Sequence, residues 1–413
     1  MNQDERPTSD FDHHSASYAA DPTQILGEMR GRCPLTWTPS HGGYWVATAW
    51  ESVHEIARDA AVFSSARSGF GGEGLSLTIP KNPSRVVIVP EELDPPAFFD
   101  YRHVLNRLLA PSAVAAMAPT VDRWVSHYLD QMTGHGEWDL VSEFTEPVPA
   151  SVTLEWLGFP PGDWRFFADP FHDIVGYSPG APEFQAAARG LDGVVTRIND
   201  VVNERREEPR DDTISSIVAT RINGEAIGHD ECVSMIYLLL AGGIDTTTSA
   251  TTSTLVYLSR NPPDRARLIE DPPLLDVAVE EFLRAFPPAK NHARTVTTDT
   301  EMSGCQLARG DRVLLSWLGA NYDPVAFEDP HRVVLDRFPN RHASFGLGIH
   351  RCAGSHLARS MFKAMVRAVL DRLPEYEVIE EGVVAYPSVS IVGGYTTVPI
   401  RTTPRTPPAM PVD

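Results

Sequence analysis

One cysteine in this sequence lies in a setting that favours metal chemistry. Cys352 is surrounded by Gly346, Gly348 and Gly354, and glycine lets a backbone adopt positive φ and approach a bulky planar group closely. A helical pattern begins directly after the cysteine. A cysteine at a helix N-terminus lies at the positive end of the helix dipole, which stabilises its thiolate. An anionic sulfur ligand of iron requires this kind of environment.

Local chemistry alone leaves other interpretations of this cysteine open. A lone cysteine among glycines is often just a small buried residue. A zinc site is also available, although the segment lacks the short chelating pairs of structural zinc sites and offers only one thiolate. The residues that such a zinc site would use are His342, His350, Cys352 and His356.

A carboxylate and a guanidinium are spaced so that they can pair. Glu281 and Arg284 are three residues apart, and a helix places them on one face. An exposed pair of this kind is worth only about 0.2–0.5 kcal/mol. The apolar neighbours Val279, Phe282 and Leu283 indicate burial instead, where losing one partner costs about 3–5 kcal/mol. We predict a structural role for this pair.

The cysteine segment resembles a known signature. Phe345-x-x-Gly348-x-His350-x-Cys352-x-Gly354 matches the haem-binding motif of the cytochrome P450 family at every position. Three further motifs follow the order of that family. They are Asp94-Pro-Pro with Arg102, similar to the start of its haem-flanking helix, Gly242-Gly-Ile-Asp-Thr246, similar to its oxygen-binding motif, and Glu281-Phe-Leu-Arg284, similar to its Glu-x-x-Arg motif.

The resemblance implies the cytochrome P450 fold, mainly α with a minor antiparallel β region in a single haem domain. It implies haem b as cofactor, with Cys352 as the axial ligand of the iron, and a Glu281–Arg284 pair that locks the core supporting the haem segment. Cations near haem-flanking elements would hold the two propionates. One position departs from the family, since Phe98 stands where a histidine often joins this clamp. The residues expected to bind the cofactor are Arg102, Arg294, His342, Phe345, Gly346, His350, Cys352 and Gly354.

The oxygen-binding motif interrupts a long helical pattern. Gly242 and Gly243 weaken a helix, as do the β-branched residues that follow them. The functional interpretation is a local opening for dioxygen and ordered water, with Asp245 and Thr246 as catalytic proton relay. The alternatives are a merely weak helix, or a packing contact that requires small residues.

Segments that line the substrate pocket in the family are largely apolar here. A lysine among them is costly unless it is paired or solvated. Lys290 therefore either anchors a polar or anionic group or turns outward to solvent. The expected pocket residues are Ile244, Ala289, Lys290, Asn291 and Val392.

Residues 341–370 contain five cationic side chains and no Asp or Glu, in a chain of net charge −20. Such a stripe is either a solvated face or a docking site for an acidic ferredoxin. Three of the cations repeat every four residues and share one helical face. We expect the ferredoxin to dock near Arg351, Arg359, Lys363 and Arg367.

The whole chain is acidic, with 35 Lys and Arg against 55 Asp and Glu among 413 residues. This balance argues against nucleic acid or anionic lipid as the partner. Four scattered cysteines favour a reducing cytoplasm. No signal peptide or spanning apolar run is evident, so we expect a soluble cytoplasmic monomer without a membrane anchor.

Helical periodicity dominates the elements that must position these residues. We expect a flexible arm at residues 1–21, the haem domain at 22–402 and a proline-rich tail at 403–413. Residues 64–74 resemble a long functional loop between strand-like runs at 44–48 and 86–89. Another strand is predicted at 396–400. Helices are predicted at residues 112–134, 191–207, 230–260, 274–285 and 353–373.

Together these features predict a haem-thiolate monooxygenase. It would insert one atom of O2 into a hydrophobic or mixed-polarity small molecule. Electrons would come from NAD(P)H through an external ferredoxin reductase and ferredoxin. A peroxide-driven peroxygenase or a haem sensor or carrier is the alternative, and neither would need the acid–alcohol pair of Asp245 and Thr246.

Overall fold

The computed structural model describes residues 6–67, 77–80, 86–132, 136–389 and 391–402. Of the structure, 55% is helical. The α-helices are α1 (Ala16–Ala20), α2 (Pro22–Arg32), α3 (Trp50–Arg58), α4 (Ala97–Leu108), α5 (Pro111–Ala116), α6 (Ala118–Met132), α7 (Pro147–Leu157), α8 (Trp164–Gly176), α9 (Pro182–Glu207), α10 (Thr213–Val218), α11 (His229–Gly243), α12 (Asp245–Arg260), α13 (Pro262–Glu270), α14 (Leu275–Ala285), α15 (Trp317–Asn321) and α16 (Ser355–Arg372).

The strands form a minor part of the molecule. They are β1 (Leu35–Thr38), β2 (Tyr44–Ala47), β3 (Phe63–Ser64), β4 (Glu137–Asp139), β5 (Arg221–Ile222), β6 (Glu225–Ala226), β7 (Asn291–Val296), β8 (Thr300–Met302), β9 (Cys305–Leu307), β10 (Arg312–Ser316), β11 (Glu377–Val378), β12 (Val384–Ala385), β13 (Tyr395–Thr397) and β14 (Pro399–Arg401). The largest sheet has the order β1-β2-β10-β7-β3. Its pairings are antiparallel except that β2 and β10 run parallel. The predicted fold class is confirmed, with this one parallel pair as a departure from an antiparallel region.

The described part of the N-terminal segment, residues 6–21, packs on the sheet and does not form the loose arm that was expected at residues 1–21. From Arg6 onward, where the description begins, Phe11 and Tyr18 are 5% and 1% exposed. The Ser9 N–H donates to the Trp37 carbonyl at 2.8 Å. Isolated aromatic anchors hold this segment, so it shows no periodicity. The proline-rich tail predicted at 403–413 lies outside the described residues.

Most predicted helices are present, with two breaks. The pattern at 230–260 forms α11 and α12, which are separated at Ile244, where ψ is −77°. The pattern at 112–134 likewise forms α5 and α6 within its described part. The patterns at 191–207, 274–285 and 353–373 correspond to part of α9, to α14 and to α16. Residues 86–89, all described, form no strand.

The interior is crossed by a helix that is rich in hydroxyl groups. In α12 these groups bond to backbone and to one another, so burial leaves few of them unsatisfied. Thr248 Oγ1 donates to the Thr145 carbonyl at 2.9 Å, and Thr252 Oγ1 lies 2.7 Å from Thr145 Oγ1. Thr145 ends a π-helical turn at Val141–Thr145. These bonds fix α12 where it packs beside α16.

Within the described residues, no single helix has both the length and the apolar content needed to cross a membrane. The stretch Ala97–Ala116 and the helix Ala118–Met132 meet those criteria only when they are taken together, across a bend of 65°.

Candidate functional site

The loop of residues 345–354, the Cys352 loop, is shaped by glycines. Gly346 and Gly348 have φ of +67° and +69°, a region that L side chains rarely adopt. A Cβ at Gly348 would lie 2.2 Å from the carbonyl oxygen of Ala57 in α3, so only glycine fits there. The Cys352 N–H donates to the Phe345 carbonyl at 2.8 Å, which closes the loop just before α16.

Cys352 is surrounded by protein, and yet its side chain is exposed. This combination indicates that the thiol lines an internal cavity. Burial raises the pKa of this thiol, and the backbone of Gly354 and the charges of Arg102 and Arg351 oppose that only in part. The stabilisation of the thiolate that is predicted from the start of α16 is therefore opposed by desolvation.

Cations gather around this cavity with little negative charge to pair with them. Among the described residues, the hydrogen bond of the Arg294 side chain goes to its neighbour, the Ala293 carbonyl, at 2.8 Å. Burial lowers the pKa of Arg294 to about 10, against the attraction of Glu91 and Asp94. Burial raises the pKa of Glu91 to about 7, although Arg294 and Arg102 favour its charged form. Glu91 was not predicted from the sequence.

His350 completes this group, the haem clamp of Arg102, Arg294 and His350. Its Nε2 is buried and has no hydrogen-bond partner among the described residues. Burial, followed by repulsion from Arg294 and Arg102, lowers the pKa of His350 to about 3, so the ring is neutral. Its centroid lies 4.5 Å from that of Phe98. Phe98 therefore supports the clamp by packing. Arg102 Nη2 donates to the Arg351 carbonyl at 2.6 Å, which joins α4 to the loop.

His342 lies apart from the clamp, which corrects its predicted role in binding the cofactor. Its Nε2 is 3.0 Å from Glu280 Oε2, and its Nδ1 accepts the Ser344 N–H at 3.2 Å. Both ring nitrogens are engaged, so His342 braces α14 instead. The zinc interpretation also finds no support, because the described residues bring His342, His350, Cys352 and His356 into no metal-binding group.

Glu281 and Arg284 form a fully buried pair. Both side chains are 0% exposed, and Arg284 Nε and Nη2 donate to the two carboxylate oxygens at 2.8 and 2.9 Å. Arg284 Nη1 also donates to the Asn321 carbonyl at 3.0 Å, and Asn321 Oδ1 accepts the Ala343 N–H at 2.7 Å. This Glu281 network therefore reaches the chain directly before Phe345 and supports the Cys352 loop.

The break between α11 and α12 lies two residues before Thr246. Thr246 Oγ1 donates to the Gly242 carbonyl at 2.9 Å, a bond that weakens the helical ladder at this point. The two glycines have different roles. A Cβ at Gly243 would lie 2.9 Å from Thr153 Oγ1, whereas a Cβ at Gly242 would meet nothing within 4 Å. Gly243 is needed for packing, and Gly242 borders open space.

Asp245 lies in a buried cluster with two residues that were not predicted from the sequence. His172 and Tyr386 each hydrogen-bond to Asp245 Oδ1 at 2.9 Å, while Oδ2 has no partner among the described residues. Burial opposes charging of His172, but the hydrogen bond and charge of Asp245, aided by Glu146 and Asp173, raise its pKa to about 9. This Asp245 cluster is an ion pair between titratable groups.

The predicted pocket residues come together from separate segments. Ala289 pairs with Val392 in an isolated β-bridge, and the Lys290 N–H donates to the Ile391 carbonyl at 2.7 Å. Ile244 and Val392 are 1% and 5% exposed. The Ser249 hydroxyl of α12 donates to the Gly393 carbonyl, so the turn after residue 390 packs against the helix that follows the break.

Lys290 and Asn291 differ although they are adjacent. The ammonium of Lys290 bonds to no described residue, and burial alone lowers its pKa to about 8. Its side chain runs along Gly393, where a Cβ would lie 2.5 Å from Cε. Asn291 is 2% exposed, and strand alternation turns it to the face of β7 opposite His292 and Arg294. Lys290 is the better candidate for a contact in the pocket.

Known proteins resemble this chain over most of its length. Residues 181–381 match the family model described as Cytochrome P450. A steroid C26-monooxygenase of Mycolicibacterium smegmatis is 30% identical over 368 residues, which cover 88% of this chain and 89% of the relative. Cytochrome P450-terp of a Pseudomonas species is 30% identical over 396 residues, which cover 91% of this chain and 92% of the relative. The chain belongs to the cytochrome P450 family.

Solved structures agree with this assignment. The crystal structure of CYP109E1 from Bacillus megaterium in complex with testosterone has a TM-score of 0.84 at 27% identity, covering 94% of this chain and 100% of that chain. The predicted family, fold, enzyme class and cofactor are confirmed. The protein is a bacterial-type P450 monooxygenase of small molecules, and its cofactor is haem.

The residues around Cys352 fit a haem. The unpartnered Nε2 of His350 and the guanidinium groups of Arg294 and Arg102 are donors that would hold two propionates. Bound through the Cys352 sulfur, the haem iron would keep that sulfur deprotonated and supply the activation of dioxygen. Glu91 beside the clamp would stay protonated next to the propionates, because burial already raises its pKa to about 7.

The cations along α16 are mostly paired, so the predicted docking face of the P450 is not free of carboxylates. The pattern of charges along α16 does not show this pairing, because the partners belong to α14 and to the residues before it. Arg351 is exposed, and no described residue forms an ion pair with it. The partners are Glu280 for Arg359 (2.6 and 2.7 Å), Asp276 for Lys363 (2.8 Å) and the Pro272 carbonyl for Arg367.

Proposed function

We propose that this P450 inserts one atom of O2 into a small molecule that has an apolar body and an anionic group. Electrons come from NAD(P)H through an external ferredoxin reductase and ferredoxin. The observation that carries the proposal is the buried Asp245 cluster beside the opened helix at Thr246. A peroxide-driven enzyme or a haem carrier has no need of an acid–base group there.

Asp245 supplies protons to the oxygen side. Its Oδ1 is held by His172 and Tyr386, which leaves Oδ2 to exchange protons with water. On the other side of His172 lie Glu146, whose pKa burial raises to about 7, and Asp173. These groups continue the chain of ionisable side chains from Asp245 towards solvent. A positioned acid of this kind contributes about 10²- to 10⁴-fold to a rate.

Thr246 holds water at the oxygen side. Its hydroxyl proton is directed to the Gly242 carbonyl at 2.9 Å. Its lone pairs are therefore available to accept a hydrogen bond from water. Asp245 thus controls proton supply, while Thr246 controls where the proton arrives, and loss of either residue has a different effect.

Three variants test this division. Asp245→Asn is expected to slow NAD(P)H consumption by about 10² or more, because proton supply becomes limiting. Thr246→Ala keeps consumption near the parental rate but diverts reductant to hydrogen peroxide. Thr254→Ala is the matched control, because this buried hydroxyl on the same helix has no described partner. The proposal is wrong if product per NAD(P)H in Thr246→Ala equals that of the parent at equal haem content.

Lys290 selects the anionic group of the substrate. An ammonium enclosed by protein is unfavourable unless an anion pairs with it, and its pKa of about 8 leaves it mainly charged at neutral pH. Relatives named steroid C26-monooxygenases and a neighbour solved with testosterone support an apolar body of similar size. A carboxylate on such a body satisfies both features of the pocket.

Paired ligands test this substrate class. Apolar carboxylic acids and their methyl esters are titrated while the haem spectrum reports displacement of water. The parent is expected to bind acids at least about 10-fold more tightly than esters, since a charged hydrogen bond is worth about 1.5–3 kcal/mol. Lys290→Met, of similar volume, loses this preference and Lys290→Arg keeps it. If the parent and Lys290→Met prefer acids over esters to the same extent, Lys290 does not anchor an anionic group of the substrate.

An acidic ferredoxin docks on the outer face of the Cys352 loop. Arg58, Arg341 and Arg351 are exposed there, and none of them forms an ion pair with a described residue. Arg58 adjoins Gly348, and the Arg341 carbonyl accepts a bond from Trp50 Nε1 at 3.2 Å. These cations replace the paired ones of α16 as the main docking charges.

Charge reversal tests the docking face. Arg341→Glu combined with Arg351→Glu is expected to slow the first electron transfer about 10-fold or more and to weaken its salt dependence. Arg189→Glu, an exposed change on α9, serves as control. Unchanged rates in the double variant would place the ferredoxin elsewhere.

The location of the protein is proposed to be the reducing cytoplasm. Its four cysteines are free thiols, which supports that location. We expect the protein to be a monomer.

A further inference from the structure

Three histidine rings meet at the N-terminal edge of the molecule, away from the Cys352 loop. Their centroids are 4.3 Å apart for His13 and His14, 5.7 Å for His13 and His41, and 5.3 Å for His14 and His41. One ring nitrogen of each lies within 4.8 Å of those of the other two. Two of these residues belong to the packed N-terminal segment, and His41 belongs to the β1–β2 connection.

Each of the three rings has one nitrogen held by a different polar side chain. Such partners fix the ring orientation and the tautomer of histidines that ligate metals. None of the three side-chain partners occupies the second nitrogen of its ring. The outer pairs are His13 Nδ1 with Tyr44 OH (2.9 Å), His14 Nδ1 with Ser388 Oγ (3.1 Å) and His41 Nε2 with Asp12 Oδ1 (2.9 Å).

A backbone oxygen lies where two of the second ring nitrogens converge. His13 Nε2 and His14 Nε2 lie 2.6 and 3.1 Å from the Ile79 carbonyl oxygen. Ligands of one tetrahedral zinc ion are separated by roughly 3.3–3.5 Å, given bond lengths of about 2.0–2.2 Å. Small ring shifts would therefore suffice. His41 also keeps a left-handed backbone, with φ of +50°, which a non-glycine residue adopts only where its surroundings enforce it.

We propose that His13, His14 and His41 bind a divalent transition-metal ion, with Zn²⁺ as the expected occupant. Three imidazoles with one oxygen from Ile79 or water are the donors that Zn²⁺ accepts in a tetrahedral site. Binding requires the Nε2 protons of His13 and His14 to leave. The hydroxyl partners permit this, because Tyr44 and Ser388 can accept as well as donate.

Such an ion ties the N-terminal segment to the edge of the substrate pocket. Ile79 follows Leu77, whose carbonyl accepts the Ala293 N–H of β7 at 2.7 Å. Ser388 lies shortly before Val392, which pairs with Ala289 in the pocket wall. Zn²⁺ therefore stabilises the folded chain by an amount that grows with its concentration.

The experiment is a competition for Zn²⁺ between the purified haem protein and a chromophoric chelator. The parent is expected to bind one Zn²⁺ per chain, with nitrogen ligands visible in the zinc X-ray absorption edge. His14→Ala and His41→Ala are expected to weaken binding by at least about 100-fold. Asp12→Asn changes the outer partner of His41, while its amide oxygen can still accept the His14 N–H, and is expected to weaken binding by about 10–100-fold.

His127→Ala is the control, because this exposed histidine on α6 bonds only to Gln131 among the described residues. Haem content of each variant reports folding independently of zinc, and His41 and Asp12 are accessible enough to change without disturbing the core. The proposal is overturned if the parent does not compete with a chelator of micromolar affinity. It is equally overturned if folded His41→Ala or Asp12→Asn binds Zn²⁺ as tightly as the parent does.

Discussion

Two buried carboxylates in this molecule are satisfied to different degrees. Glu281 is 0% exposed and accepts from Arg284, Arg337 and Asn340 as well as from backbone, so both of its oxygens are satisfied. Asp245 is 3% exposed, and one of its oxygens has no described partner.

The charge partners of the two carboxylates explain their roles. An arginine stays protonated at any physiological pH, so Glu281 is permanently neutralised and can only hold structure. Asp245 is instead neutralised by His172, whose pKa is about 9, and is bonded to Tyr386, a weak acid. The Glu281 network is therefore fixed in charge, whereas the Asp245 cluster contains a group that can titrate, which is what the proposed proton relay requires.

The largest expected effect comes from breaking the Glu281 network. Arg284→Ala removes the bidentate partner of the fully buried Glu281 and leaves Arg337 as its charged partner among the described residues. The change should destabilise the protein by about 3–5 kcal/mol, with loss of haem. The matched control is Arg260→Ala. Its pair with Glu380 has the same bidentate geometry, but its side chains are 46% and 54% exposed. An exposed pair is worth about 0–1 kcal/mol.

Urea unfolding of both variants, followed by haem absorbance and circular dichroism, checks this difference. Similar free energies of unfolding for Arg284→Ala and Arg260→Ala would mean that burial does not set the role of Glu281.

A smaller effect is expected in the loop that this network supports. Gly348→Ala combines a left-handed backbone with a clash against the Ala57 carbonyl and should cost roughly 2–5 kcal/mol. Gly346→Ala has nearly the same φ, but its nearest contact is at 3.8 Å, so only the backbone term of about 1–2 kcal/mol remains. Haem retention on heating compares the two variants, and equal losses would show that the contact with α3 does not matter.

The smallest effect concerns pH in the Asp245 cluster. Burial lowers the pKa of His172, but the hydrogen bond and the charge of Asp245 raise it from 6.5 to about 9 in the folded protein. Its contribution to stability is therefore fully present below about pH 6.5 and is lost as pH rises through about 9. The difference in free energy of unfolding between the parent and His172→Gln should shrink over that range.

Glu146 interacts with His172 and has a pKa that burial raises to about 7, so it also titrates in this range. The comparison therefore uses the difference in free energy of unfolding between two variants at the same pH. In an Asp245→Asn background the pH dependence contributed by His172 should disappear. A parent that differs from His172→Gln by the same free energy at pH 6 and pH 9 would mean that His172 is not charged.

The sequence predicted the residues whose chemistry is local. The Cys352 loop and the Glu281–Arg284 pair each lie within one short segment, and each segment contains a motif that resembles the cytochrome P450 family. His172 and Tyr386 come from segments far from Asp245 along the chain, and neither belongs to a motif. Nothing in the neighbouring residues of either one indicates the contact.

The wrong predictions have a related cause. His342 lies close to Cys352 in sequence, but its ring turns to Glu280 of α14. The cationic stripe of α16 was counted along one helix, whereas the carboxylate that pairs with Arg359 comes from another. Side-chain direction and charge balance are set by tertiary neighbours, which a pattern within one helix does not contain.

The most direct test of the account is the carbon monoxide spectrum of the reduced protein. A cysteine thiolate donates charge that a serine hydroxyl cannot, so the parent should show the red-shifted absorption of thiolate ligation and Cys352→Ser should lose it. Replacement of Cys33, Cys232 or Cys305 by serine should leave both the spectrum and the haem content unchanged. A Cys352→Ser protein that keeps the red-shifted band would contradict the assignment of Cys352 as the ligand.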